Sequence, residues 1–154
     1  MTDSPLDALT IDRRAPALRT PLGEGSWVDV VKGFVRDPAD QLSTLLADAP
    51  WQQNETLRYD KYVPERRLSA GLRADAQPLL RQTDLHLRAA YRQPMEGVAA
   101  ILYRTGDDFQ GMHSDREMRW LDDTLIAIVV LGQRRPFVIR ERTRWVDSLA
   151  HRVP

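Results

Sequence analysis

The stretch ILYRTGDDFQGMHSDREMRWLDDTLIAIVVLGQRRPFVIR, residues 101–140, decides the expected fold. It contains an apolar segment, a polar turn with a glycine, the triplet His113, Ser114 and Asp115, and a longer apolar segment that ends at Gly132. Short apolar runs rich in Ile and Val are typical of buried strands. This order predicts a metal site held between two strands.

His113 and Asp115 are the candidate metal ligands in this stretch. Side chains alternate along an extended segment, so residues two apart point to the same side. One imidazole nitrogen and one carboxylate oxygen can therefore converge on one ion, and they supply two of the three ligands in the facial triad of non-heme iron(II) oxygenases. Binding requires a neutral imidazole and an ionised carboxylate, which predicts activity from about neutral pH upward. A hydrogen-bonded structural histidine and a turn carboxylate are the alternatives.

Motifs on both sides of this pair extend the pattern. Tyr103-x-x-Gly106 precedes it, and the segment LIAIVVLG, residues 125–132, lies after it, followed by Arg135-x-Phe137. With His-x-Asp, this combination resembles the AlkB-like family of iron(II)- and 2-oxoglutarate-dependent oxygenases. The central pattern of that family runs Tyr-x-x-Gly, His-x-Asp, a strand reading Ile-Ala-x-Val-Ser-Leu-Gly, and Arg-x-Phe.

The resemblance implies a function and a set of site residues. The function is oxidative dealkylation of N-alkylated bases in DNA or RNA, with Fe(II) as the metal and 2-oxoglutarate as co-substrate. His113 and Asp115 would be the catalytic metal ligands, Tyr103 would hydrogen-bond 2-oxoglutarate, and Glu117 would contact the extruded base. Tyr103 could instead be a rim aromatic that keeps its hydroxyl in water.

The chain departs from the family pattern in several places. The family usually has Asn where this chain has Ile101, and Asp where it has Arg116. The family's second His and its 2-oxoglutarate-binding Arg belong to a later block that this sequence does not contain, so we expect a C-terminally truncated enzyme. His151, in a His-x-Val-Pro motif, is a candidate third ligand, but it follows Arg140 too closely for the intervening strands. His86 falls beside the apolar stripe of a predicted helix and is expected to be a boundary residue.

Local patterns predict the following elements. Residues 1–22 contain three prolines and no periodicity, which predicts a flexible leader, and residues 23–154 are expected to form the oxygenase domain. One helix is predicted at residues 38–48 with Asp37 as its N-cap, and another at residues 75–92 capped by Asp75. Strands are predicted at residues 26–34, 55–63, 98–104, 125–131 and 135–140, the last two forming a hairpin.

The fold class follows from this order of elements. The patterns alone support an α+β domain of five or six strands. The resemblance implies an incomplete double-stranded β-helix, a jelly roll of the cupin-like kind, with the two helices packed on one face. Residues 64–73 are either a plain surface loop or, by resemblance, part of a lid over the nucleotide.

Composition limits the class of protein. A chain of 154 residues, 42% of them hydrophobic, is one domain with enough apolar residues for a core. The absence of cysteine excludes disulfides and a thiolate zinc site. No apolar run approaches the roughly 20 residues that span a bilayer, and residues 1–14 show no apolar stretch followed by a small-residue cleavage site, so we expect a cytoplasmic protein without a membrane partner. We also expect a monomer, with no protein partner implied.

The partner expected from charge is a polyanion. Net charge is zero, but residues 134–154 hold six arginines against two acidic residues, which would attract nucleic acid. A solvated, Arg-rich strand edge is the alternative. Two other functions stay open: an inactive, truncated nucleic-acid-binding remnant, and an oxygenase acting on a small molecule or protein, since a fold and its ligands do not fix the substrate.

Overall fold

The computed structural model describes residues 9–113, 115, 124–140 and 151–153. Two helices and eight strands lie in these ranges, and the strands pair two by two in four antiparallel sheets. None of the described sheets closes into a barrel. The predicted α+β class is therefore confirmed. The elements are β1 (Ala17–Gly23), β2 (Ser26–Val31), α1 (Pro38–Asp48), β3 (Glu55–Arg58), β4 (Lys61–Pro64), β5 (Leu68–Leu72), α2 (Pro78–Tyr91), β6 (Val98–Leu102), β7 (Phe137–Ile139) and β8 (His151–Val153).

Strand β1 occupies the end of the range predicted as an irregular leader, residues 1–22. It pairs with β2, and the register shifts between Pro21 and Gly23. Proline lacks the amide hydrogen of a ladder and is tolerated at such irregularities, so its presence misled the prediction. Ile11, also in this range, is 1% exposed and belongs to the core. The boundary of the domain itself stays a prediction.

The β1–β2 hairpin is attached to α2 by a cluster of four side chains. Trp27 of β2 stacks on Tyr91 of α2 with ring centroids 5.6 Å apart, and the Arg19 guanidinium lies 3.9 Å from the Trp27 centroid. Asp29 accepts two hydrogen bonds from Arg19, at 2.7 and 2.8 Å, and one from the Tyr91 hydroxyl at 3.1 Å. These bonds, the Arg19 pair first, hold the pKa of Asp29 below its ordinary value.

The bounds of α1 and its N-cap residue, Asp37, agree with the prediction, but the expected capping hydrogen bond is not made. Asp37 has a left-handed backbone, φ 47°, and makes no side-chain capping bond. Helix α2 begins at Pro78, three residues later than Asp75, because proline is preorganised for the first helical position. Asp75 instead accepts hydrogen bonds from Arg73. Neither described helix is long and apolar enough to cross a membrane.

The predicted strand at residues 55–63 is a hairpin, formed by β3 and β4. The chain reverses at Tyr59, whose φ is 59°, a left-handed conformation that is rare for a bulky residue. Asp60 is a common turn residue, but the turn contains no Gly, Asn or Pro, and the alternating pattern predicted a single strand. The loop predicted at residues 64–73 contains β5.

The β5–β6 sheet positions the candidate site. Its register runs from Leu68 opposite Leu102 to Leu72 opposite Val98. Ala70 of β5 and Leu79 of α2, each 3% exposed, belong to the described core. Burial alternates along β6, with Ala99 and Ile101 exposed.

The segment at residues 125–131 was predicted to be a buried strand, and this is wrong. It has no regular secondary structure, and Ile126, Ile128 and Val130 are all more than half exposed. The predicted hairpin with residues 135–140 is also wrong, because β7 pairs with β8. Apolar content predicts burial only where a covering surface exists, and no described strand pairs with this segment.

Candidate metal site

The site begins where β6 ends. Tyr103 follows the last residue of that strand, and a turn over residues 105–107 leads to Asp108. The Asp108 carboxylate accepts hydrogen bonds from the Arg104 side chain at 2.8 and 3.0 Å and from the Arg104 backbone N–H at 2.7 Å. These bonds lower the pKa of Asp108 to about 2, the Arg104 side chain contributing most. The carboxylate therefore closes the turn from inside.

The two predicted metal ligands face each other. His113 Nε2 lies 3.3 Å from Asp115 Oδ1, and the two side chains are 52% and 44% exposed. Neither residue belongs to a helix or a strand. The convergence predicted for two residues on an extended segment is therefore present without a regular strand.

The tautomer of His113 follows from its second ring nitrogen. Nδ1 lies 2.8 Å from the carbonyl oxygen of Gly111, which can only accept, so Nδ1 carries the hydrogen. The amide nitrogen of Gln110 is farther from Nδ1, at 3.4 Å. In the neutral imidazole, Nε2 then presents a lone pair to the Asp115 oxygen. Two facing acceptors repel each other unless a proton or a cation lies between them.

This geometry fits two adjacent ligands of one metal ion. Ligands about 2.1 Å from a metal and at right angles to each other are about 3 Å apart. A ligating His commonly donates its other ring N–H to a backbone carbonyl, as His113 does to Gly111, which fixes the ring orientation. Among the residues that the structure describes, no third His, Cys, Asp or Glu completes such a group.

The remaining predicted site residues are distributed as follows. Tyr103 is half-buried, and its ring lies 4.7 Å from the Arg135 guanidinium. Glu117 and Arg116 lie outside the described residues. The backbone of His151 is in β8, opposite Ile139. His86 is half-buried on α2 and contacts the Phe34 ring at 5.4 Å, in keeping with a boundary residue.

Arg135 is the residue whose role the sequence did not reveal. Its guanidinium donates one hydrogen bond to the carbonyl of Thr105 at 3.1 Å and another to the carbonyl of Asp108. The sequence placed Arg135 in a basic end available to a polyanion, but part of its hydrogen-bonding capacity is used within the protein. Since these contacts join positions 27 and 30 residues apart, no local pattern could have revealed them.

Comparison of the chain with protein-family models, with curated proteins and with solved structures gave no match. The resemblance to the AlkB-like family therefore depends on the sequence motifs alone.

Proposed function

We propose that this chain is an AlkB-like oxygenase that uses Fe(II) and 2-oxoglutarate to remove N-alkyl groups from nucleic-acid bases oxidatively. The main support for the proposal is that His113 Nε2 lies 3.3 Å from Asp115 Oδ1 while His113 Nδ1 hydrogen-bonds the Gly111 carbonyl. Two acceptors held in this way form a partial ligand set that suits iron(II). An incomplete jelly roll is the fold proposed around them.

His113 and Asp115 would hold the iron in this proposal. Bound iron would supply activation of oxygen with 2-oxoglutarate as the reductant, while the protein orients the reactants. His113 would bind through Nε2, because Nδ1–H is used by Gly111. Both side chains are about half exposed, which leaves room for a co-substrate beside them. Protonation of either group would release the metal, so affinity falls as the solution is acidified.

Tyr103 is proposed to contact the co-substrate. It directly follows β6, and its half-buried side chain lies beside the Arg135 guanidinium and near that of Arg67. Arg67 is in turn fixed by Glu65, whose carboxylate accepts from its Nε at 3.0 Å. The charge of the two guanidinium groups would attract a dicarboxylate such as 2-oxoglutarate, with Tyr103 making the direct contact.

The proposed substrate is a base in alkylated DNA or RNA. A base must leave the stack to reach the proposed metal, and arginines would hold its phosphates. Glu117 is the residue proposed to contact the extruded base. The protein is proposed to act as a cytoplasmic monomer.

A coupled assay tests this function. The protein is incubated with Fe(II), 2-oxoglutarate and N-methylated single- or double-stranded oligonucleotides, and both succinate and repaired base are measured. His113→Gln and Asp115→Asn should abolish both products. His86→Gln is the matched control, since it changes a histidine outside the proposed site and should leave both unchanged.

Each outcome of the assay is decisive. Succinate together with repaired base, lost in the two ligand variants, supports the dealkylase. Succinate without repair would overturn it in favour of an oxygenase acting on a small molecule or protein. Binding of the oligonucleotides without succinate would overturn it in favour of an inactive nucleic-acid-binding remnant.

A further inference from the structure

Arg135 connects two carbonyl groups of the turn that precedes the proposed metal ligands. Nη1 donates to Thr105 O at 3.1 Å and Nη2 donates to Asp108 O. The two acceptors are three residues apart, so a single guanidinium fixes the separation between the two ends of the turn. A planar fork with donors on separate nitrogens is suited to this geometry.

The same guanidinium also contacts an aromatic ring. Its central carbon lies 4.7 Å from the centroid of the Tyr103 ring, within the range of a cation–π contact. Tyr103 directly follows β6, which is paired along its length with β5. Arg135 therefore links the turn to the residue that leaves the sheet.

The turn is held from its other side by Asp108. The Asp108 side chain is 7% exposed, and its carboxylate accepts three hydrogen bonds from Arg104. The Asp108 carboxylate therefore joins the end of the turn to Arg104 before it, while the backbone carbonyl of Asp108 accepts from Arg135. Only four residues separate Asp108 from His113, so the position of the turn limits where the ligand pair can lie.

We infer that Arg135 is a positioning residue of the metal site, which holds Tyr103 and the 105–108 turn so that His113 and Asp115 converge on one ion. This inference rests on the proposed function. It assigns Arg135 no contact with metal or substrate, and its effect passes through the carbonyls of Thr105 and Asp108. Loss of a group that hydrogen-bonds a metal ligand directly typically lowers metal affinity by about 10- to 100-fold. We expect about tenfold here, the low end, because Arg135 acts through the turn.

Titration with Co(II), a spectroscopic substitute for Fe(II), tests the inference. The absorption of bound Co(II) reports both affinity and coordination geometry. Arg135→Gln should weaken Co(II) binding about tenfold and alter the absorption spectrum. Arg135→Lys, which keeps the charge but lacks the fork, should also weaken it. Arg134→Gln removes the same charge from the adjacent, exposed residue and should leave Co(II) affinity unchanged.

The results separate the inference from the function on which it rests. Absence of Co(II) binding by the unmodified protein would overturn both. Binding by the unmodified protein with equal affinity in both Arg135 variants would overturn the inference alone. Circular dichroism and urea unfolding monitor the fold. If Arg135→Gln fails to fold, Arg135→Lys supplies the comparison. Failure of both to fold would also overturn the inference, because Arg135 would then support the whole fold rather than the site.

Discussion

Gly132 is the position at which a single added carbon tests how the segment before Arg135 is packed. Its φ is 75°, and a Cβ built there would lie 2.9 Å from Leu42 Cδ2 of α1. Gly132→Ala should therefore cost about 1–2 kcal/mol for the left-handed backbone. A steric cost of about 1 kcal/mol should add to it, the low end for overpacking because the end of a leucine side chain can rotate. The free energy of unfolding in urea measures the sum.

Gly33 supplies a matched control for the backbone part of this cost. Its φ is 71°, and nothing lies within 4 Å of a Cβ built there. Gly33→Ala should thus be less destabilising than Gly132→Ala by about 1 kcal/mol, more than the usual additivity error of about 0.3–0.5 kcal/mol. In a Leu42→Ala background the difference should disappear. Equal losses for the two glycines in the unmodified background would show that Gly132 does not pack against α1.

Three further perturbations have expected outcomes. Tyr91→Phe removes the hydroxyl that donates to Asp29 at 3.1 Å and keeps the ring, so the free energy of unfolding should fall by about 1 kcal/mol in urea titrations. The pKa of Asp108 is lowered to about 2 in the folded protein. Ionised Asp108 therefore stabilises the fold fully above the pKa of the unfolded chain, and this stabilisation is lost as the pH falls through about 2. Asp108→Asn should accordingly show a smaller drop in Tm between about pH 4 and pH 2 than the unmodified protein; an equal drop would contradict the pairing with Arg104. Val130 is 59% exposed, so Val130→Glu places a charge in solvent and removes apolar surface. It should reduce the binding of a hydrophobic dye without lowering Tm.

Elements defined by local chemistry were predictable from the sequence. Helix α1 has the predicted bounds, because Pro38 suits the first helical position and Pro50 prevents continuation. The proximity of the His113 and Asp115 side chains was likewise predictable, because the two residues are only two positions apart in the sequence. The reversal at Tyr59 was not, because a bulky tyrosine rarely adopts a left-handed backbone and the alternating pattern runs through Asp60 without interruption.

Elements that depend on a distant partner could not be predicted. An apolar run such as residues 125–131 indicates burial, but its sequence does not say which surface would cover it. The pairing of β7 with β8 joins Phe137 to Val153 across a long connection, where a hairpin with the preceding segment was the simpler expectation. The role of Arg135 was hidden for the same reason, because both of its carbonyl acceptors lie far away along the chain.

The cluster around Asp29 makes the folding of one hairpin depend on a helix. Two-stranded hairpins alone are marginal in water, so the β1–β2 pair relies on Trp27 and Asp29 meeting Tyr91. Amide hydrogens of residues 17–31 should therefore exchange with solvent deuterium no more slowly than those near the end of α2. The protection of the hairpin amides against exchange would then report the free energy of opening the last turn of α2.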